Sequence, residues 1–196
     1  MRGLESIPDG DVVLMAPRGG GAAQYVVTWP GRDTPRAAAE VTATLGARLT
    51  LVTDDPETAR EFAAGQGLVS LSTLALMTAD PADLPQVPQL PEGADLTLEG
   101  FPDCSVVEIS AFGSPVARGR IAQGEGFAVF GGIDIRLADP DHTMETAVLA
   151  ALAAEAAVRD LPLILMPALP KSGFWYARQG WSAAAEVLTF MRARDT

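Results

Sequence analysis

Cysteine and histidine are almost absent from this chain of 196 residues, which contains one of each, Cys104 and His142. A single cysteine excludes a disulfide framework and a zinc site made of cysteines, and it fits a reducing compartment. A single histidine among scattered acidic residues gives no ligand spacing for a metal ion. We therefore expect no metal site.

Basic residues are also scarce. The chain has 14 lysines and arginines against 25 aspartates and glutamates, which gives a net charge of -11 at pH 7. Nucleic acid is bound by basic surfaces that neutralise its phosphates, so this balance argues against a nucleic-acid partner. Cationic or neutral partners are favoured instead.

Long hydrophobic runs are missing as well. The stretch LPLILMPAL at 161–169 is too short to cross a bilayer and contains two prolines. The first residues, MRGLESIPDGD, lack the basic and apolar regions of a signal peptide. The sequence therefore predicts no membrane association and a cytoplasmic location.

The chain does have the composition of a folded protein, with 48% hydrophobic and 20% charged residues. Its length allows one large domain or two small ones. Four prolines between residues 79 and 95 exclude a helix or a central strand there. We expect an α/β half over residues 1–80, an extended connector over 81–94 and a second domain over 95–196.

The first half reads as alternating strands and helices. Strands are predicted for DVVLMA (11–16) and QYVVTW (24–29), joined by a glycine turn at Gly19–Gly21. The segment PRGGGAA lacks the lysine of a P-loop and leads into a strand, so a hairpin turn is the better interpretation. A helix from about Thr34 to Leu45 is followed by strand RLTLVT, helix PETAREFAAG and strand LVSLSTLALM.

The second half begins with a hairpin of CSVVEISAFG and PVARGRIA, turning at Gly113 and Ser114. The long apolar strand FAVFGGIDIRLA follows, and a helix is predicted from about Thr143 to Arg159. The remaining elements are a buried strand LPLILM, a short helix KSGFWYARQ and a final strand AAAEVLTFM.

The two halves repeat one pattern. RLTLVTDD aligns with LPLILMPA 113 residues later without a gap, and the same offset places AGQGL on ARQGW. A divergent duplication would explain the match, and so would the alternation of strands and helices that α/β proteins share. Because Ala63 falls where the second copy has Tyr176, the first half is predicted to be a scaffold.

The second half resembles the GNAT superfamily of N-acetyltransferases. The family's Tyr-x-x-x-Gly-aromatic segment is matched by Tyr176, Gly180 and Trp181, and VLAAL (148–152) is similar to the helix after its coenzyme loop. This resemblance, over about residues 95–194, implies an α/β (α+β) fold with a mixed, mostly antiparallel sheet flanked by helices, and a degenerate N-terminal half-repeat. It also implies direct acyl transfer from acetyl-CoA to a small-molecule or peptide amine.

Acyl transfer of this kind needs an acid and a base. Tyr176 is the candidate acid for the departing thiolate, although packing beside Phe174 and Trp175 would explain it equally well. Asp134 and Glu108 are the candidate bases, because each interrupts an apolar strand. The alternative for both is solvent exposure or pairing with a neighbouring arginine, namely Arg118, Arg120 or Arg136.

The coenzyme loop departs from the family's pattern. In ADPDHTMETAVLAAL (138–152) the loop is a few residues shorter than in the family, and none of the expected arginine or glycine positions is filled. Asp141 or Thr143 is predicted to cap the helix, and acids there oppose a phosphate by roughly 3 kcal/mol at about 5 Å and an effective dielectric near 20. The resemblance implies donor contacts through the backbone of Ile135, Arg136, Leu137, His142, Thr143, Met144, Glu145 and Thr146.

Two functions remain open from the sequence. The first is an acyl-CoA-dependent N-acyltransferase, and the second is a GNAT-fold binding or assembly module that has lost CoA. His142 could cap the helix, face solvent or meet a phosphate; a hydrolase triad with Ser105 or Ser110 lacks a nucleophile-elbow sequence. The cluster FWY at 174–176 allows a homodimer contact, which an ordinary core would also explain.

Overall fold

The computed structural model describes residues 4–17 and 21–193, and the chain divides into two compact units. Unit 1 comprises Met1–Leu76, Ala168–Lys171 and Ala184–Thr196, and unit 2 comprises Met77–Pro167 and Ser172–Ala183. The predicted turn at Gly19–Gly21 lies largely outside the described residues. No helix in the described ranges is long and apolar enough to cross a membrane.

The secondary structure contains eleven strands and four α-helices in the described residues. In chain order these are β1 (Leu4–Asp9), β2 (Val12–Pro17), β3 (Gln24–Trp29), α1 (Thr34–Ala43), β4 (Arg48–Thr53), α2 (Pro56–Gly65), β5 (Leu68–Ala79), β6 (Ala94–Gly100), β7 (Cys104–Ala111), β8 (Ser114–Gln123), β9 (Ala128–Ile135), α3 (Thr143–Val158), β10 (Ile164–Ala168), α4 (Gly173–Arg178) and β11 (Ser182–Arg192). Short 3-10 turns occur at Pro81–Asp83 and Pro170–Ser172.

Unit 1 is a mixed sheet in the order β1-β2-β3-β4-β11-β5, flanked by α1 and α2. β3 and β4 are parallel, whereas β11 pairs antiparallel with β4, with Leu188 opposite Leu51. The buried core lies between this sheet and the apolar faces of its helices, which bury Ala37, Ala38, Val41, Ala59 and Ala63. These alanines recur at helical spacing and let the helices approach the sheet closely.

Unit 2 is built on the strand order β10-β9-β8-β7-β6, in which only β9 and β10 are parallel. The turn of the β7–β8 hairpin consists of Phe112 and Gly113, with φ of 51° and 77°, one residue earlier than predicted. Positive φ at both turn residues is the geometry that matches the twist of paired strands. β6, which the sequence analysis missed, pairs with β7 along its whole length.

Helix α3 covers one face of unit 2's sheet, where it packs against β8. The contact is possible because Gly119 has no side chain: a Cβ there would lie 2.6 Å from Val148 Cγ1 and 3.1 Å from Leu152 Cδ1. Val148 and Leu152 are fully buried. The mixed, mostly antiparallel sheet flanked by helices confirms the predicted fold class.

Candidate functional site

The two parallel strands of unit 2 separate soon after they meet. β9 and β10 pair at Ala128 with Ile164 and at Val129 with Leu165, and in the described residues no later pair joins them. β9 continues along β8, where the register shifts between Arg118 and Arg120 and Gly132 adopts a φ of 60°. A bulge of this kind bends a strand. We call the part of β9 beyond Val129, which has no partner on its β10 side in the described residues, the β9–β10 gap.

Aromatic side chains lie beside this gap. Phe130 is the first β9 residue after the last β9–β10 pair, and it is fully buried. Its ring meets Trp181 edge-on at 5.9 Å between centroids, and Trp181 in turn lies 6.4 Å from the ring of Tyr176. The aromatic chain therefore connects the point of strand separation to α4.

Tyr176 is the buried polar residue of α4. The residue is 6% exposed, and its hydroxyl donates a hydrogen bond of 2.5 Å to Glu145 Oε1 on α3. Burial first, and then the hydrogen bond and negative charge of Glu145, raise the pKa of Tyr176 well above its ordinary value. The hydroxyl therefore keeps its proton at neutral pH.

Glu145 joins the tyrosine to the histidine. Its side chain is only 17% exposed, and Oε2 lies 2.8 Å from His142 Nδ1. The imidazole also stacks on Trp175, with 4.3 Å between ring centroids and 23° between planes. Glu145 thus holds a phenol on one carboxylate oxygen and an imidazole on the other.

Asp139 caps the first turn of α3. Its carboxylate accepts hydrogen bonds from the amides of Met144 (3.2 Å) and Glu145 (3.0 Å). The predicted caps, Asp141 and Thr143, are wrong, because neither side chain bonds the helix end. His142 adopts a left-handed φ of 54°, which folds the preceding loop back so that Asp139 reaches the amides.

Most of the backbone positions predicted to hold the donor are engaged within the protein. Arg136 N donates to Val116 O, His142 N to Asp139 O and Thr146 N to His142 O, at 2.8, 3.0 and 2.9 Å. A diphosphate needs free amides at a helix start, and two of those at α3 are satisfied by a carboxylate. The turn as folded does not fit the diphosphate of CoA.

The two predicted bases lie apart from this cluster in their contacts. Asp134 forms ion pairs with Arg118 and Arg136, both at 3.5 Å, and its side chain is 45% exposed. Glu108 is half-buried on β7, directly opposite Arg118. In the described residues neither contacts Tyr176, and their role as bases stays a prediction.

The side-chain roles of Glu145 and Asp139 were not predicted from the sequence. The Glu145 side chain was expected only to repel phosphate, because its bond to Tyr176 joins residues 31 positions apart. Asp139 lies too far before the helix to be read as an ordinary cap. The sequence signal was limited to three acids in one short turn.

No protein-family model and no curated protein matches this chain. Among solved structures it is similar to a GCN5-related N-acetyltransferase from Kribbella flavida, with 16% identity, 98% of this chain and 90% of that chain covered, and a TM-score of 0.72. A functionally unknown protein from Staphylococcus epidermidis is similar at 12% identity, with 95% and 93% covered and a TM-score of 0.63. A tandem GNAT protein from the clavulanic acid biosynthesis pathway is similar at 15% identity, with 91% and 77% covered and a TM-score of 0.64.

These similarities extend over nearly the whole chain, beyond the second half in which the sequence resemblance was visible. At 12 to 16% identity they establish the fold and leave the chemistry to the site. The chain is a divergent protein with the fold of the GNAT N-acetyltransferases.

Proposed function

We propose that this chain is an N-acyltransferase that moves an acyl group from a thioester of the acetyl-CoA type to an amine. The observation that carries the proposal is that β9 has no β10 partner beyond Val129 in the described residues, while a buried phenol on α4, Tyr176, is connected to Phe130 of β9 through the ring of Trp181. Two solved structures of similar fold, from Kribbella flavida and Sphaerobacter thermophilus, are named as GCN5-related N-acetyltransferases.

The chain's own residues supply two requirements of the reaction. Strand β9 beyond Val129 has no partner on its β10 side in the described residues, so its backbone groups there can hold a polarised carbonyl. Tyr176 keeps its proton, since its pKa is raised by burial and by Glu145. It can therefore act on a leaving thiolate only as a hydrogen-bond donor, once its hydroxyl turns away from Glu145 Oε1.

The residues at the start of α3 offer few favourable contacts to the nucleotide of such a donor. Asp139 fills two α3 amides, and the neighbouring acids repel phosphate by roughly 3 kcal/mol each at about 5 Å and an effective dielectric near 20. We therefore propose that the donor is held mainly through its thioester end. The acids Asp139, Asp141 and Glu145 favour an acceptor that carries positive charge, which is a small-molecule or peptide amine.

The proposal is tested by incubating the purified chain with acetyl-CoA, or with a nucleotide-free acetyl thioester, and a panel of primary amines. Release of free thiol that depends on enzyme and amine, with the matching acetylated amine seen by mass spectrometry, is the expected result. Tyr176→Phe is the matched control, because it removes one oxygen and keeps the ring. Thiol release no faster than in buffer, with both donors and every amine, would overturn the proposal.

A second function is favoured by the Asp139 contacts. A GNAT-fold module that no longer binds CoA would be expected to satisfy its own α3 amides, as this chain does. A ligand that binds only the native state must raise the melting temperature. No shift at millimolar acetyl-CoA or acetyl thioester, together with no turnover, would select a binding or assembly role.

A further inference from the structure

His142, the chain's single histidine, is held in place by three separate features. Its Nδ1 lies 2.8 Å from Glu145 Oε2, its ring face stacks on Trp175, and its backbone has a φ of 54°. A left-handed conformation is uncommon for a residue other than glycine and persists where the surroundings enforce it. The side chain is nevertheless 38% exposed, so solutes can reach the ring.

The hydrogen-bond partner fixes which nitrogen is basic. An ionised carboxylate only accepts hydrogen bonds, so Nδ1 must be the donor in its contact with Glu145. In the neutral imidazole the lone pair then belongs to Nε2. Within the described residues Nε2 makes no hydrogen bond, and it is the only ring nitrogen of the chain available as a base.

We propose that His142 Nε2 is the general base that takes a proton from the acceptor amine, and that Glu145 is the residue that positions it. The inference rests on the proposed N-acyl transfer and adds the missing proton acceptor to it. It assigns the task to a group that shares one carboxylate with Tyr176, the proposed donor.

The protons and electron pairs of the acyl transfer can be followed step by step. An ammonium gives one proton to His142 Nε2, and the freed nitrogen lone pair attacks the thioester carbonyl carbon. The new C–N bond forms, the C–S bond breaks, and the sulfur leaves with the bonding electron pair. The second nitrogen proton goes to the sulfur, and His142 returns its proton to solvent.

Acidic and neutral groups lie around the imidazole. Glu145 contacts the ring from α3, Asp139 and Asp141 lie in the loop before it, and the neutral Trp175 stacks on it from α4. The bases predicted from the sequence are less well placed, because Asp134 is paired with Arg118 and Arg136.

The tautomer can be measured without any activity. Because the chain has one histidine, a long-range proton–nitrogen NMR correlation contains a single imidazole. We expect the neutral ring to carry its proton on Nδ1, and Glu145→Gln to release the ring into a mixture of both tautomers. A proton on Nε2 in the unmodified protein would overturn the inference and leave the proposed N-acyl transfer standing.

Kinetics then tests the role itself. His142→Gly keeps the left-handed backbone accessible, and we expect kcat to fall roughly 100- to 10,000-fold, with partial recovery when imidazole is added to the buffer. The acidic limb of the kcat/KM profile against pH should disappear with the histidine. Asp103→Asn is the matched control, since Asp103 is exposed in the turn before β7 and does not contact the ring, and it should retain that limb.

Unchanged kcat in His142→Gly, or a fall that imidazole does not restore in a variant shown to be folded, would overturn the role as base. Absence of transfer by the unmodified chain would overturn the proposed function and this role together. The NMR experiment can therefore overturn the role of His142 alone, whereas absence of transfer by the unmodified chain overturns the proposed function as well.

Discussion

The carboxylate of Asp139 and the backbone amide of Glu145 are joined by a hydrogen bond of 3.0 Å, and the same carboxylate holds Met144 N at 3.2 Å. An acidic side chain of the protein thus occupies the amides that a bound phosphate would use. It also stabilises the helix start by capping it. One residue therefore has opposite expected effects on stability and on nucleotide binding.

Replacing Asp139 should separate these effects. We expect Asp139→Ala to lower the free energy of unfolding by about 1 kcal/mol, the usual value of a lost cap. The same change frees two amides and removes one negative charge, so acetyl-CoA should bind about 100-fold more tightly, which corresponds to the repulsion of roughly 3 kcal/mol. Urea denaturation and isothermal titration calorimetry give the two quantities.

Asp141→Ala is the control for charge alone, because Asp141 lies in the same turn and is exposed without capping the helix. We expect a smaller gain in affinity and no loss of stability. Equal gains from both substitutions would show that charge, and not the filled amides, opposes the nucleotide.

Donor preference should follow from the same contacts. The unmodified chain is expected to use a nucleotide-free acetyl thioester with a kcat/KM at least equal to that for acetyl-CoA, because the acids near α3 repel the phosphates of the nucleotide. Asp139→Ala should shift the ratio toward acetyl-CoA. The kcat/KM values of both proteins are measured from initial rates of thiol release. A strong preference of the unmodified chain for acetyl-CoA would contradict the proposal that the donor is bound mainly through its thioester end.

The packing of α3 against β8 should depend on Gly119. We expect Gly119→Ala to lower the free energy of unfolding by about 1–3 kcal/mol, since its Cβ would meet Val148 Cγ1 at 2.6 Å. Gly100→Ala is a suitable control, because a Cβ there meets nothing within 4 Å. Thermal and urea melts compare the two, and equal stability would mean that the helix shifts without cost.

Local elements were predictable because their signals are local. QYVVTW and PETAREFAAG form β3 and α2 with the predicted bounds, as alternating apolar residues and a proline at the helix start indicate. β1 was missed because LESIPD contains a proline and few strand-forming residues. It forms an edge strand, where a missing amide donor costs little.

Contacts between residues far apart in the chain could not be predicted from the sequence. The repeat predicted strand, helix, strand in each half, but β11, the last strand of the second copy, lies between β4 and β5 in unit 1. The Tyr176–Glu145 contact depends on how α3 and α4 pack, and the Asp139 cap depends on the backbone of His142. None of these leaves a periodic signal in the residues concerned.

Tyr176 should give the protein a specific weakness at alkaline pH. Its folded-state pKa is raised above the ordinary value of 10.0, mainly by burial. The stabilisation from the neutral phenol is therefore complete below about pH 10 and is lost as pH rises toward the folded-state pKa, because the unfolded chain ionises first. We expect the free energy of unfolding to fall by up to about 1.4 kcal/mol per pH unit there.

Tyr176→Phe removes the titrating group and the donor to Glu145 Oε1, so it should cost about 1–3 kcal/mol at neutral pH. Above pH 10 its stability should decline less steeply than that of the unmodified chain. The difference between urea melts of the two proteins at pH 8 and pH 11 isolates this residue from Tyr25, which both retain. Parallel curves would mean that the phenol ionises as easily in the folded protein as in the unfolded chain, and the buried donor assigned to the site would then be absent.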